Sequence, residues 1–175
     1  DFRPDGLKLL PPEENVEADL ASWTVNPVKF GQFYIEIFDE WVRNDVGAWY
    51  VQLFDSTLAN AVGAQPGVCI FAETCGHAAA MEFNGDLYAC DHYVFPEYKL
   101  GNIRTQTIFE MMFQERQLQF GADKRDKLPT QCRECDVLKF CHGECPKNRI
   151  ATTATGESGL NYLCQGYKAF FRHAL

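Results

Sequence analysis

Apolar residues from Phe30 onward recur at i, i+3, i+4, i+7, i+8 and i+11 (Phe30, Phe33, Tyr34, Ile37, Phe38, Trp41), the spacing of one wide stripe on a helix expected to face the core. Asn26-Pro27 supplies its start, with Asn as the capping residue and Pro at the first helical position, and the helix is expected to end near Asn44 to Gly47. Trp49 to Phe54 has the composition of a buried strand, and Asp55 or Ser56 is placed to cap a short helix through Val62. Helix, strand and helix within about 38 residues make one unit of an α/β sheet or barrel, and one unit cannot close a barrel.

Gly63 to Gly67, with Pro66, breaks the pattern and marks the expected boundary between a first part, 1–64, and a second, 65–175. Beyond it, Ala80-Met-Glu-Phe83 and Asp86-Leu-Tyr-Ala89 flank Asn84-Gly85, the signature of a tight hairpin with a primed turn that delivers Cys90 at its end. Thr107-Ile-Phe-Glu110 reads as a capping box opening a helix through Ile108, Met111, Met112, Glu115 and Leu118, which Gly121 is expected to stop. Leu160 to Leu175 reads as a helix whose inward stripe includes Leu160, Leu163, Cys164, Tyr167, Phe170 and Phe171. Residues 1–24, rich in Pro and Glu, show no sustained period and read as a loop or connecting segment; there is no internal repeat or low-complexity stretch.

Of the 175 residues, 46% are hydrophobic and 14% aromatic, the composition of a folded globular protein. The formal net charge is −8, and the short Lys124-Arg-Asp-Lys127 run, expected to be a solvated face, is the one basic cluster; nucleic acid is therefore an unexpected partner. No run of about 18 apolar residues is present, which excludes a helical membrane span, and the N-terminus lacks a secretory layout, so the chain reads as cytoplasmic. It begins at Asp1 rather than Met, as a fragment or processed product would.

Eight cysteines change the picture. Cys132, Cys135, Cys141 and Cys145 form C-x2-C-x5-C-x3-C, followed after eighteen intervening residues by Cys164; Cys69, Cys75 and Cys90 precede them. In a reducing compartment such clustering points to metal rather than disulfides, and eight thiols make two complete sets of four, for two zinc ions or two four-cysteine iron–sulfur clusters. A single C-x2-C pair weakens zinc, whose folds usually use two. With eight cysteines saturating two sites, His77, His92 and His142, each close to a cysteine, are expected at supporting or surface positions, and His173 near a helix C-terminus is expected to interact with the helix dipole.

At Phe38-Asp-Glu-Trp-Val-Arg-Asn-Asp45, Gln52-Leu-Phe-Asp55, Thr74-Cys-Gly76, Asn84-Gly-Asp-Leu-Tyr-Ala-Cys-Asp-His92, Tyr98-Lys-Leu-Gly-Asn-Ile103, Cys145-Pro-Lys147 and Asn161-Tyr-Leu-Cys164 the sequence resembles the twin-cluster SPASM domain of radical S-adenosylmethionine (SAM) enzymes, and within it the anaerobic sulfatase-maturating enzymes. The resemblance implies an α+β fold: a small cysteine-rich SPASM domain over 65–175, with a β-hairpin, metal loops and helices, preceded over 1–64 by the last α/β unit of a partial radical SAM barrel. It also implies crossed ligation. Cys69, Cys75, Cys90 and Cys145 would hold one auxiliary [4Fe-4S] cluster, and Cys132, Cys135, Cys141 and Cys164 the other.

In that family an enzyme radical removes a hydrogen atom from Cβ of a cysteine or serine in an unfolded sulfatase polypeptide, and the product is oxidised to formylglycine, with flavodoxin or ferredoxin as reductant. The resemblance implies that Asp91, directly after a cluster ligand, is the base, and that the first auxiliary cluster takes an electron. An acid beside an anionic cluster is expected to have a raised pKa; a plain turn-capping acceptor is the other reading of Asp91. The C-x3-C-x2-C motif of the radical enzyme's own cluster is absent: Cys141-His-Gly-Glu-Cys145-Pro-Lys-Asn148 imitates its first half and lacks the third cysteine. S-adenosylmethionine and a third [4Fe-4S] cluster are therefore expected upstream of Asp1, and this chain alone is not expected to catalyse. Two alternatives stand beside this reading: a SPASM enzyme acting on another peptide, and a peptide-binding module in which zinc occupies the thiolate sites.

Overall fold

The computed structural model describes residues 24–175; the loop expected over 1–24 lies, Thr24 apart, outside the described residues. Helix α1 (Pro27–Asn44) starts as expected, the Asn26 side chain accepting from the backbone N–H groups of Val28 at 2.9 Å and Lys29 at 3.2 Å. It packs against the last helix, α7 (Cys164–Ala174), through paired glycines: a Cβ on Gly31 would stand 2.8 Å from the Gly166 Cα. This close crossing lets one aromatic core form from Phe38, Trp41, Phe54, Phe71, Phe140, Tyr167, Phe170 and Phe171. Phe54, Phe170 and Phe171 are wholly buried, and each contributes on the order of 2–3 kcal/mol of burial. Phe33 and Ile37, which the periodicity placed on the inward stripe, are exposed instead, because α7 covers only the side of α1 that carries Tyr34, Phe38 and Trp41.

The strand expected over Trp49–Phe54 is absent. Gln52–Ala61 is helix α2, entered through exposed Trp49 and Tyr50. Leu53, Phe54 and Thr57 bury one face of it, and the Asp55 carboxylate accepts from the Val51 N–H at 3.1 Å, so Asp55 works inside the first turn rather than ahead of it. The link is pinned by the Trp41 indole N–H, which donates to the Trp49 carbonyl at 2.7 Å.

Strands β1 (Ala80–Met81), β2 (Asp86–Tyr88) and β3 (Lys99–Asn102) make an antiparallel sheet in that order. The hairpin is present at Asn84-Gly85, but not with a primed two-residue turn. The Gly85 N–H bonds to the Glu82 carbonyl and the Glu82 N–H to the Asp86 carbonyl, each at 2.9 Å, enclosing three residues. Gly85 has φ 89° while Asn84 does not reach positive φ, so Gly85 alone takes the left-handed conformation, as in a bulged three-residue loop. Asp86 anchors the sheet: it pairs with the Lys99 ammonium at 2.6 Å and accepts from the side-chain amides of Asn102 and Asn84.

The capping box forms, Thr107 Oγ1 accepting from the Glu110 N–H and the Glu110 carboxylate from the Thr107 N–H. Helix α3 (Ile108–Phe113) then ends at Gln114, whose extended backbone turns the chain into α4 (Glu115–Asp126). Gly121 does not stop α4, and Lys124, expected on a solvated face, is 1% exposed. The one-turn helices α5 (Thr130–Arg133) and α6 (Leu138–Cys141) and the ribbon β4 (Ala151–Thr152) with β5 (Ser158–Leu160) lead into α7, which starts at Cys164 rather than Leu160. The His173 ring meets the Asp39 carboxylate of α1 at 2.7 Å, a partner the dipole expectation did not include. Among the described residues no helix is long and apolar enough to cross a membrane.

Two predictions follow from this packing. A Cβ on Gly166 would press on the Pro27 carbonyl and stand 2.8 Å from a Phe30 ring carbon, so Gly166→Ala is expected to cost about 2 kcal/mol and lower the melting temperature by about 4–8 °C; an unchanged melting curve contradicts the close crossing. Lys99 first, then the amides of Asn102 and Asn84, hold the Asp86 carboxyl below its usual range. A depressed folded-state pKa contributes stability that is present above the unfolded value of about 4 and lost as pH falls through the folded one. Asp86→Asn should therefore be less stable than wild type near pH 6, with the gap closing below about pH 4; denaturant midpoints that differ equally at both pH values contradict this.

Candidate metal centres

The loop between Cys141 and Cys145 decides where two thiols go. Cys141 ends α6, and His142, Gly143 and Glu144 follow with φ of 46°, 70° and 54°. Three successive left-handed residues reverse the chain, where a continued helix would have stacked Cys145 one turn above Cys141. Two of the three carry side chains, at a cost of roughly 1–2 kcal/mol each. Buried Arg149 offsets that cost by donating to all three carbonyls of the turn: Nη2 to His142 at 3.0 Å and Glu144 at 3.2 Å, and Nε to Gly143 at 3.0 Å. The buried Glu144 carboxylate accepts from Asn148 and from Asn161 at 2.5 Å, tying the turn to the segment before α7.

The remaining cysteines come from separate elements. Cys69 is exposed in a single helical turn, Cys75 donates its N–H to the Gly121 carbonyl, and Cys90 follows β2. Cys132 is buried in α5, Cys135 follows α5, and Cys164 opens α7. Burial pushes the thiols of Cys90 and Cys141 up to about 12 and those of Cys132 and Cys145 up to about 11; Cys75 and Cys164 rise for the same reason. Neighbouring thiols add to the rise, and these couplings form two groups. Cys145 feels Cys75 and Cys69, Cys75 feels Cys69, and Cys90 feels Cys145. Cys132 feels Cys164 and Cys135, Cys141 feels Cys164 and Cys132, and Cys164 feels Cys135. Arg149 feels thiols of both groups, Cys132 and Cys141 of the second and Cys145 of the first.

Among the described residues the one set of three donor atoms within 4.8 Å of one another is Cys90, Asp91 and His92. Eight thiols with buried cations at Lys124 and Arg149 suit anionic iron–sulfur centres in donor type and in charge.

Asp91 is exposed and accepts from the Cys90 thiol at 3.1 Å, with His92 4.0 Å away. Its carboxyl is held below the usual range, first by that thiol hydrogen bond, opposite to the rise expected beside an anionic cluster. A metal-bound thiolate has no proton to donate, so this depression belongs to the thiol form. His92 Nδ1 lies 3.4 Å from the Cys145 sulfur, whereas His142 shapes the turn with its backbone. Sequence reasoning missed Arg149, Lys124 and Gln117; two buried charges with carbonyl partners carry no motif, and their roles depend on contacts from distant segments.

Residues 69–136 match the SPASM family, described as an iron–sulfur cluster-binding domain. The chain is 60% identical over 169 residues to the serine-type anaerobic sulfatase-maturating enzyme of Bacteroides thetaiotaomicron, an alignment that covers 97% of this chain and 41% of the relative. It is 28% identical over 155 residues to the cysteine-type enzyme of Clostridium perfringens, covering 87% of this chain and 41% of that one. The structure of native anSMEcpe with bound AdoMet and Kp18Cys peptide superposes with a TM-score of 0.77 at 27% identity, over 91% of this chain and 44% of the other. The chain thus spans well under half the length of these relatives. Residues 69–136 thus match an iron–sulfur cluster-binding domain, and the chain is similar over nearly its whole length to the C-terminal part of the anaerobic sulfatase-maturating enzymes.

Proposed function

We propose that this chain supplies two auxiliary [4Fe-4S] clusters to a radical SAM enzyme that oxidises a sulfatase serine or cysteine to formylglycine. The observation that carries the reading is the match of residues 69–136 to an iron–sulfur cluster-binding domain in a chain whose eight cysteines are all free thiols. The family match favours clusters over zinc. When bound, such clusters supply one-electron redox chemistry.

Asp91 is the proposed base, an exposed carboxylate beside Cys90 that takes the thiol or alcohol proton of the target residue. Residues 1–64 are assigned to the end of the radical enzyme's barrel and 65–175 to the cluster domain. S-adenosylmethionine and a third cluster are assigned to the part of the relatives that this chain does not span. The partners are an unfolded sulfatase polypeptide and a flavodoxin- or ferredoxin-type reductant. The setting is the cytoplasm, where eight thiols stay reduced. Identity of 60% to a serine-type relative against 28% to a cysteine-type one supports serine as the target.

Two experiments test this. In the enzyme containing this chain, Asp91→Asn is expected to slow formylglycine formation on a serine peptide by roughly 100-fold or more with iron content unchanged, and a wild-type rate removes Asp91 from the role. Cys141→Ser and Cys145→Ser, four residues apart, are expected each to abolish a different one of two electron paramagnetic resonance (EPR) signals in the reduced protein; loss of the same signal in both variants contradicts crossed ligation.

A further inference from the structure

One face of α4 is polar, buried and turned toward the first thiol group. Gln117, Gly121 and Lys124, spaced i, i+4 and i+7, are the helix's buried residues. The Gln117 side-chain amide uses both its N–H groups, donating to the Gly76 carbonyl at 2.8 Å and the Ala89 carbonyl at 3.0 Å. These carbonyls belong to the residue after Cys75 and the residue before Cys90, so one amide spans two cysteine segments 15 positions apart in sequence. The orientation is unambiguous: flipping the amide would set its oxygen against two carbonyl oxygens, and Oε1 as placed has no partner of its own.

One turn on, the Gly121 carbonyl accepts the Cys75 N–H at 3.2 Å. A side chain at 121 would collide with the Cys75 carbonyl, so the glycine is what lets the loop approach. At the end of the face, the Lys124 ammonium donates to the carbonyls of Cys69 at 2.6 Å, Ile70 at 2.9 Å and Ala72. The Lys124 carbonyl in turn accepts from Arg149 Nη1 at 2.8 Å, and Arg149 holds Glu144, the residue before Cys145.

From these contacts we infer that the buried polar face of α4, formed by Gln117, Gly121 and Lys124, is the positioning element of the first four-cysteine site. It touches the segments of Cys69, Cys75 and Cys90 directly and that of Cys145 through Arg149, without supplying a ligand. The hydrogen bonds that the Gln117 and Lys124 side chains donate go to segments of the first group; the cysteines of the second lie in α5, beyond it, at the end of α6 and at the start of α7. This inference rests on the two-cluster reading, and the test separates the two.

Gln117→Met and Lys124→Met keep side-chain volume while removing the donors. In protein prepared anaerobically, wild type is expected to hold about 8 iron and each variant about 4, with the EPR signal that Cys75→Ser abolishes lost and the one that Cys164→Ser abolishes kept. Far-UV circular dichroism is expected to stay at the wild-type value. Full iron with both signals unshifted in both variants overturns the positioning role and leaves the two-cluster reading intact. Equal loss of both signals together with helical content overturns it too, since the face would then hold up the whole fold. Wild-type protein that takes up no iron overturns the cluster reading, and the inference with it.

Discussion

Four hydrogen bonds from one buried guanidinium hold the turn that separates two thiols only four residues apart. Arg149 holds the three left-handed residues at 142–144 by their carbonyls and reaches back to Lys124. Without it, two non-glycine residues at positive φ would have little to keep them there, and a helical continuation would bring Cys145 back over Cys141. It also sets one permanent positive charge within reach of thiols of both groups, where two anionic centres would repel each other. Geometry and charge balance here depend on the same side chain.

The two thiol groups have different supports. Cys164 opens α7, whose inner face carries Tyr167, Phe170 and Phe171, so the second group is fixed by the same aromatic packing that joins α1 and α2 to the rest. The first group stands on hydrogen bonds from α4 and on a three-stranded sheet with a small core of Leu87, Ala89, Leu100 and Met111. Apolar burial is non-directional and tolerates adjustment, whereas carbonyls held by an amide and an ammonium have few alternatives. The first group therefore depends directly on the hydrogen bonds of one helix face.

Local signals were legible in the sequence. The Asn26 cap, the Thr107–Glu110 capping box and the hairpin at Asn84-Gly85 each depend on residues within four positions of one another, and each is present. The cysteine spacing pointed to metal for the same reason. What the sequence hid was set by distant contacts. Trp49–Phe54 has strand composition but no strand to pair with among the described residues, and forms a helix start against Phe38 and Phe170 instead. Lys124 looks like part of a solvated run until three carbonyls from residues 69–72 are seen around it. Periodicity gives the direction of the inward stripe of α1 but not the width of the partner that covers it, and Phe33 and Ile37 lie outside that width.

The central claim is that eight thiols form two iron–sulfur centres, and metal and sulfide analysis of anaerobically prepared protein with its visible spectrum tests it most directly. About 8 iron and 8 sulfide per chain, with broad absorption near ~400 nm, is the expected result. One or two zinc ions, no sulfide and no colour would contradict it.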